Sequence, residues 1–299
     1  MPRQQDEITA SWRSNAAPLA SICTLTFNHV DYLRQSLDSL LDQVTDFPFE
    51  ILIHDDASTD GTTDIVREYA AQYPRIIRTV IQETNQFSST GGMIAPRFLY
   101  PIARGEFIAL CEGDDYWSDP QKLSKQVEFL QANPRYVITY GPAIAFNEAG
   151  EVPGEVHGLR RDVTARELRQ SVNLNTLTVC FRNTMPAIHP DLLAARLGDL
   201  VQWSLLGEFG EGKYMDDLGP SYYRVHEGGM HSTATLREKR IATLVTYNAL
   251  AAYYFRQGEP ETAEYLMLRS RQLARKIAGW GKVADYVVRG IRSRLTGRG

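Results

Sequence analysis

The chain has 299 residues, of which 43% are hydrophobic and 23% charged, a balance typical of a globular protein with a sizeable core. Its formal net charge of −4 gives no basic surface for a nucleic acid, so we expect no nucleic acid among its partners. The length fits one large domain with an accessory region, or two domains.

Three cysteines, at positions 23, 111 and 180, lie far apart in apolar segments. Their number and spacing favour neither a disulfide framework nor a zinc site, so we expect buried thiols in a reducing cytoplasm. The first residues are polar, and no long apolar run follows later. These features predict a cytoplasmic protein without a signal peptide or a membrane-spanning helix.

The first part of the chain alternates short apolar segments with amphipathic ones. Strands are predicted at residues 19–26, 49–54, 76–82 and 106–111, and helices at 32–43, 62–72 and 94–103. In the first of these helices Leu33, Leu37 and Leu40 recur at helical spacing, which predicts a buried face. Strands that alternate with helices predict an α/β fold, with a mostly parallel sheet and helices on both faces.

The second part of the chain is less regular. Here we expect a helix at 119–133, a strand-like segment at 136–146, a helix opened by a capping box at Thr164 and Glu167, and a strand at 177–182. From about residue 236 the pattern predicts two antiparallel helices, interrupted at 258–260. We therefore divide the chain into a flexible N-terminus (1–17), one α/β domain (18–235) and a helical C-terminal extension (236–299).

Two pairs of neighbouring aspartates follow predicted strands. Asp55 and Asp56 come after the second strand, and Asp114 and Asp115 come after the fourth. Ligands of open α/β sheets bind beyond the carboxyl ends of the strands, so both pairs are expected at one edge of the sheet. Either pair alone fits a solvated turn, but the two together favour a ligand site.

The two pairs suit different parts of a nucleotide ligand. Asp114 and Asp115 match the small protein share of a Mg²⁺ or Mn²⁺ site whose shell a substrate diphosphate completes. Such an ion can neutralise charge on a diphosphate leaving group. Asp55 and Asp56 are placed to recognise a base or a ribose. We expect their carboxylates to be free of protein partners, because other polar residues are nearer to the start of the next helix.

Four segments, in this order and spacing, carry a family resemblance. They are TFNHVDYLRQSLDSLLDQ, FEILIHDDASTDGT, GEFIALCEGDDYWSDPQKL and YYRVHEGG. Together they resemble the inverting family 2 glycosyltransferases of the nucleotide-diphospho-sugar transferase (GT-A) fold. The resemblance covers about residues 18–232. The variants HDDAST and EGDDYW are similar to bacterial enzymes that build capsule, O-antigen or other surface glycans.

This resemblance implies a set of nucleotide contacts. Thr26, Phe27 and Asn28 line the base pocket, and Asp56 contacts the nucleobase with Asp55 beside it. Each of these residues lies in or directly after one of the first two predicted strands, so the resemblance implies a nucleoside pocket at that edge.

The resemblance also assigns the diphosphate and the metal ion. It puts Asp114 near the ribose, Asp115 on Mn²⁺ or Mg²⁺, Arg224 near the diphosphate and His226 in the metal shell. Arg97 corresponds to a family arginine near the nucleotide, although its neighbours depart from the usual Ala-Arg-Asn context. A nucleotide-diphospho-sugar donor and a divalent cation are therefore the implied ligands.

An inverting transfer needs a carboxylate that removes the proton of the acceptor hydroxyl. Asp199, in RLGDLVQWSLL, matches the Gly-Asp segment that precedes a helix in the family, and it is the predicted base. The alternative is that Asp199 only caps the helix that starts near Leu200. The rival carboxylates are Glu208, Glu211, Asp216 and Asp217.

The C-terminal stretch is strongly basic. Residues 269–298 contain many Arg and Lys residues but only Asp285 among the acids, interleaved with apolar residues and Trp280. One interpretation is a cationic amphipathic helix on the inner face of the cytoplasmic membrane, near a lipid-linked acceptor. The other is a helix that packs on the catalytic domain or on a second subunit of a homodimer.

The sequence thus predicts a metal-dependent inverting glycosyltransferase. The expected donor is a UDP- or dTDP-sugar, which the resemblance implies, and the acceptor is a hydroxyl of a glycan or of a lipid-linked glycan. One alternative is a sugar nucleotidyltransferase, although the Gly-rich basic loop of that class is missing after the first strand. A non-catalytic module for glycan assembly is the other.

Overall fold

A computed structural model describes residues 2–13, 17–90, 92–229 and 234–295, with side chains for all of these except 89, 90 and 279–295. The chain divides into two compact units. One contains residues 1–188 and 198–232, and the other contains residues 189–197 and 233–299. The second unit therefore takes a short segment from the middle of the chain, which the division at residue 235 did not foresee.

The first unit contains eleven strands and eight helices among its described residues. The strands are β1 (Ala20–Thr26), β2 (Phe49–Asp55), β3 (Ile77–Ile81), β4 (Phe107–Leu110), β5 (Tyr116–Trp117), β6 (Tyr136–Tyr140), β7 (Ala143–Asn147), β8 (Gly150–Glu151), β9 (Cys180–Arg182), β10 (Glu211–Tyr214) and β11 (Ser221–Arg224). The helices are α1 (Gln5–Ala10), α2 (Leu33–Leu41), α3 (Thr62–Gln72), α4 (Gln86–Thr90), α5 (Ile94–Phe98), α6 (Lys122–Ala132), α7 (Ala165–Arg169) and α8 (Gly198–Leu206).

Seven strands form the main sheet in the order β10-β6-β9-β4-β1-β2-β3. The strands β4, β1, β2 and β3 are parallel to one another, whereas β9 runs antiparallel to both β4 and β6. In the register of β1 and β2, Thr26 lies opposite Asp55. The predicted α/β fold is confirmed, and the carboxyl ends of β1, β2 and β4 meet at one edge.

The core lies on both faces of this sheet. Successive side chains of a strand point to opposite faces, so Ile22 packs on one side with α2, α3 and α6, and Cys23 packs on the other with α5, α7 and α8. The same alternation separates Ile51 from Leu52 in the next strand. Helices on both faces leave the strand ends as the accessible part of the sheet.

A second sheet comes from a segment that the sequence presented as one strand. The stretch 136–146 is interrupted at Gly141 and Pro142, so that β6 joins the main sheet and β7 joins a four-stranded sheet of order β5-β11-β7-β8. A side chain at Gly141 would come within 3.0 Å of Leu218. Proline also lacks the N–H that a continuous ladder would use.

The N-terminal segment, expected to be flexible, contains the helix α1. Its Ile8 is 1% exposed and belongs to the core, and the ring of Trp12 packs edge-on against Phe49 with centroids 5.8 Å apart. The isolated apolar residue in QDEITA gives almost no periodic signal, which is why the sequence did not indicate this helix.

The second unit is built on α9 (Leu236–Arg256) and α10 (Pro260–Leu295). The two helices are antiparallel, since Ser270 donates to Asn248 and Arg269 lies over Tyr247, and Gly258 adopts a φ of +77° in the turn between them. A 3-10 helix, Pro190–Ala194, packs against α9. In the described part of the chain, no helix combines the length and apolar character that crossing a bilayer requires.

Candidate active site

The loops after β1 and β2 are joined by hydrogen bonds. Asn28, in the left-handed region with a φ of +55°, donates its N–H to Ser58 (2.9 Å) and accepts from the N–H of Thr59 at its side-chain oxygen (2.9 Å). The N–H of His29 donates to the hydroxyl of Thr62 (2.8 Å). These bonds fix the two loops as one edge before any ligand binds.

The carboxylate of Asp55 is fully used inside the protein. Its Oδ1 accepts from the N–H (3.2 Å) and the hydroxyl (2.5 Å) of Ser58, and its Oδ2 accepts from the hydroxyl of Thr63. The residue is completely buried. The prediction that this carboxylate is free of protein partners is wrong, because it organises the turn between β2 and α3.

The carboxylate of Asp56 is also hydrogen-bonded. Its two oxygens accept from the backbone N–H groups of Gln86 (2.7 Å) and Phe87 (2.9 Å), at the start of α4. These donors are thirty residues away in the sequence, so the chain order gave no sign of them. Each oxygen keeps a second lone pair, so a ligand donor can still bind beside the protein donors.

Gly113 brings the acidic segment after β4 close to the end of β1. Its N–H donates to the carbonyl of Leu25 (2.9 Å). A side chain here would lie 2.9 Å from the hydroxyl of Thr26 and 3.2 Å from Nδ1 of His29, so the close approach requires glycine. The spacing of the EGDD motif therefore has a steric cause.

His29, Asp114 and His226 form a cluster that could hold a metal ion, with their ligand atoms all within 4.8 Å of one another. Oδ2 of Asp114 lies 3.0 Å from Nε2 of His226 and 3.7 Å from Nε2 of His29. The two imidazole rings are nearly perpendicular, with centroids 6.0 Å apart. Burial lowers the pKa of His29, partly offset by the charge of Asp114, and thereby favours the neutral ring that binds metals.

Asp115 has a different environment. It is 2% exposed, and its Oδ1 accepts from the backbone N–H of Arg224 (2.8 Å). Burial, reinforced by the charges of Asp114 and Glu112, raises the pKa of Asp115 well above its ordinary value. The geometry favours Asp114 over Asp115 as the metal ligand, the reverse of the assignment from the sequence.

Arg224 is held in place from several sides. Its Nε donates to the carbonyl of Asp114 (2.8 Å) and its Nη2 donates to Gln35 (2.5 Å). The guanidinium lies 4.7 Å from the ring centroid of Tyr32 and 4.5 Å from that of Phe146. A fixed positive charge thus stands next to the acidic segment, where the sequence placed a diphosphate contact.

Glu112 is a site residue that sequence reasoning missed. Burial raises its pKa to about 8, and the charges of Asp114 and Asp199 add to this effect. Asp199 lies in the first turn of α8, where burial raises its own pKa. The effect of the Asp199 charge on the pKa of Glu112 indicates that these two carboxylates are near each other. The only sequence signal for Glu112 was its position as the first residue of the EGDD motif, directly after a predicted strand.

Other predicted residues have less distinctive positions. Phe27 is 43% exposed directly after β1, whereas Thr26 is buried and its hydroxyl has no hydrogen-bond partner within the described structure. Arg97 is exposed on α5, and no ion pair links it to another described residue.

Solved structures with the same architecture define its class, the GT-A fold. The structure of S. aureus TarS (residues 1–349) in complex with UDP superposes with a TM-score of 0.57 at 19% identity, over 87% of this chain and 73% of TarS. The mannosyltransferase PcManGT from Pyrobaculum calidifontis, in complex with GDP-Man and Mn²⁺, gives a TM-score of 0.51 at 17% identity, over 94% of this chain and 81% of that one. At these identities the likeness shows the fold alone.

The family model "Glycosyl transferase family 2" matches residues 21–185, so the chain belongs to that family. An uncharacterized protein of Mycobacterium tuberculosis is 40% identical over 164 residues, 54% of this chain but only 46% of that relative. The E. coli enzyme UDP-Glc:alpha-D-GlcNAc-diphosphoundecaprenol beta-1,3-glucosyltransferase WfaP is 33% identical over 218 residues, 71% of this chain and 79% of WfaP.

Proposed function

We propose that this protein is an inverting glycosyltransferase that transfers a sugar from a UDP- or dTDP-sugar to a hydroxyl of a glycan or of a lipid-linked acceptor. The observation that carries the proposal is the cluster of His29, Asp114 and His226 beside Arg224, at the carboxyl edge of a GT-A sheet. The structure of TarS in complex with UDP and the likeness to WfaP, a UDP-Glc glucosyltransferase, support a uridine nucleotide.

The cluster fits a divalent cation. Two ligands at right angles, about 2.1 Å from an ion, are about 3.0 Å apart, and the contact between Asp114 and His226 is 3.0 Å. Nδ1 of His29 is buried without a hydrogen-bond partner among the described residues, so no protein acceptor fixes which ring nitrogen carries the proton. Two imidazoles favour Mn²⁺ over Mg²⁺, which prefers oxygen ligands. When bound, such an ion neutralises charge on the leaving diphosphate.

The nucleoside end of the donor binds at the loops that follow β1 and β2. Asp56 accepts a donor group of the base, Phe27 offers an exposed ring for stacking, and Thr26 and Asn28 line the pocket. Asp55 contributes through the turn that it holds, and Arg97 is an exposed cation on the short helix α5 that could reach the nucleotide. Arg224 binds the diphosphate at the other end.

Asp199 is the proposed base, because a raised pKa near an acceptor hydroxyl suits a group that takes up a proton. We expect Asp199→Asn to lower kcat by about 100-fold or more while donor affinity stays unchanged. Asp216→Asn, at an exposed rival position, serves as the matched control and should keep its activity. If Asp199→Asn keeps its turnover and Glu112→Gln loses it, the base is Glu112.

The first experiment is a thermal-shift panel of nucleoside diphosphates and nucleotide sugars, each with Mn²⁺ and with EDTA. We expect one nucleotide class to raise the Tm only when Mn²⁺ is present, because the ion joins the protein cluster to the diphosphate. Transfer is then measured by release of that nucleoside diphosphate in the presence of an acceptor. If no nucleotide raises the Tm, a non-catalytic role is favoured.

A membrane-associated acceptor is supported by the distribution of charge. Residues 269–299 hold nine of the 32 Lys and Arg residues but one of the 36 Asp and Glu residues, which gives this stretch a formal charge of +8 and leaves −12 on residues 1–268. We expect full-length protein, but not a chain ending at Leu268, to bind vesicles that contain anionic lipid. Neutral vesicles are the control. If the truncated chain binds the anionic vesicles as well as the full-length protein does, the C-terminal stretch is better explained as part of a homodimer interface. Light scattering of both chains then tests for the dimer.

A further inference from the structure

A second cavity opens at the edge of the main sheet opposite to the candidate active site. It has a volume of about 550 Å³ and is lined by residues that precede or begin the strands, among them Trp12, Phe49, Arg75, Arg78 and Arg104. The strand β1 separates the two edges with seven residues, a length of roughly 20 Å. The cavity is therefore separate from the nucleotide pocket.

Two of the arginines that line this cavity are held by a buried carboxylate. Glu50 is completely buried at the start of β2 and accepts from Ser21 (2.8 Å), from Nη1 of Arg78 (3.0 Å) and from Nε of Arg104 (2.9 Å). Although burial alone would favour the neutral acid, these hydrogen bonds keep the pKa of Glu50 below its ordinary value. Glu50 thus anchors two guanidinium groups whose outer parts stay accessible at the cavity.

The cavity has more positive than negative charge. Three arginines line it, and the described structure gives them two acidic partners: Glu50, which pairs with Arg78 and Arg104, and Asp6, which pairs with Arg75 across 3.9 Å. Asp6 is 94% exposed, so its interaction with Arg75 is strongly screened. The arginines keep N–H donors that Glu50 does not use, arranged in the planar geometry that binds phosphate and carboxylate groups in pairs.

We propose that this cavity binds a small polyanion, a molecule with two or more phosphate or carboxylate charges. The surplus charge matches a dianion, and the volume admits a small molecule but not a folded partner. The partly exposed ring of Trp12, which packs edge-on against the buried Phe49, gives the cavity an apolar surface that suits a ligand with a compact organic part next to its charges.

The test is calorimetric titration of the full chain in EDTA, with pyrophosphate in one arm and citrate in the other, so that phosphate and carboxylate ligands are distinguished. We expect saturable binding of at least one of them. Arg75→Gln, which removes a cation without disturbing Glu50, should weaken that binding about tenfold, as expected for one charged hydrogen-bonding partner. Arg67→Gln, an exposed arginine on α3 outside the cavity lining, is the matched control and should leave it unchanged.

A further variant separates this cavity from the candidate active site. Arg224→Gln removes the cation proposed to bind the donor diphosphate and should leave the titration unchanged. The proposal is overturned if neither anion binds saturably, if Arg75→Gln binds as tightly as the parent chain, or if Arg224→Gln abolishes binding. Circular dichroism of each variant tests whether the fold is retained. Arg78→Gln, which changes a second arginine of the cavity lining, should also weaken binding.

Discussion

Asp114 and Asp115 are neighbours in the sequence but have different partners, and their roles can be separated. Asp114 lies beside two imidazoles, whereas Asp115 accepts a hydrogen bond from the backbone of Arg224. We expect Asp114→Asn to weaken Mn²⁺ binding about tenfold or more, because a charged ligand is lost. Asp115→Asn should change it less than about threefold, since an amide oxygen accepts the same hydrogen bond.

Electron paramagnetic resonance of free Mn²⁺ measures both affinities directly. The His226→Ala variant should resemble Asp114→Asn, since both remove a member of the cluster. The reverse ranking, with Asp115→Asn as the damaging change, would restore the assignment made from the sequence.

Lys122 gives a prediction for pH dependence. It is buried, donates to Gln126 (2.7 Å) and lies 4.0 Å from the ring centroid of Trp117. Burial lowers its pKa from 10.5 to about 8. The unfolded chain therefore holds this proton more tightly, so the penalty for burying the charge is fully present below pH 8 and disappears as the pH rises to 10.5.

We expect Lys122→Met to raise the free energy of unfolding at pH 7 by about 1–3 kcal/mol, because it removes the buried charge but also two favourable contacts. The gain over the parent chain should shrink towards pH 10. Urea denaturation at both pH values measures it, and other titrating groups cancel in the comparison. A loss of stability that is equal at both values would show that the contacts outweigh the charge.

For individual residues, the sequence indicated which side chains belong to the site better than it indicated their hydrogen-bond partners. Asp114, Arg224 and His226 are brought together as expected, because the strand ends and the late motif return to one edge. His29 was missed although it lies within the TFNHVD segment, because a single histidine after a strand does not by itself indicate a metal ligand. Asp55 and Asp56 were thought to be free because their donors depend on tertiary structure, such as the N–H groups of Gln86 and Phe87.

Among the elements, the helix α1 yields a prediction about stability. Its Ile8 is buried in the core, although the helix has only six residues. We expect Ile8→Ala to lower the free energy of unfolding by about 2–4 kcal/mol through lost burial and a new cavity. Thr9→Ala, on the same helix but outside the core, should change it by less than about 0.5 kcal/mol. Equal effects in urea denaturation would mean that α1 does not contribute to the core.

The regular elements were predictable where the pattern is long and periodic. The strands β1 and β2 and the helix α3 match their predicted bounds to within one residue, because each combines a clear period with turn residues at its ends. The Gly141-Pro142 pair in residues 136–146 was a sequence signal for a break, but the assignment of β6 and β7 to different sheets depends on tertiary pairing that the local pattern does not contain.

For the whole molecule, the second unit predicts the effect of truncation, because it is formed by two segments that are far apart in the sequence. Residues 189–197 belong with the C-terminal helices, where Thr246 accepts from the N–H groups of Arg196 and Leu197, and Leu192 is buried. A chain that ends at Ser232 loses these partners. We expect trypsin to cut after Arg196 at least about tenfold faster in this truncated chain than in the full chain.

Mass spectrometry of the fragments identifies the cut. Cleavage after Arg67, which lies on α3 in the other unit, serves as the internal control and should stay slow in both proteins. Equal rates after Arg196 would show that this segment is ordered without α9 and α10.

The contact between Asp114 and His226 joins positions 112 residues apart, one in the segment between β4 and β5 and the other shortly after β11. An ion held by both would act as a reversible cross-link that closes a long loop, and closing a long loop removes much conformational freedom from the unfolded chain. The cation would then have a mechanical role before any sugar nucleotide arrives. Without a bound cation we expect a looser protein that unfolds and is degraded sooner, so that its abundance in a cell would follow the supply of that metal.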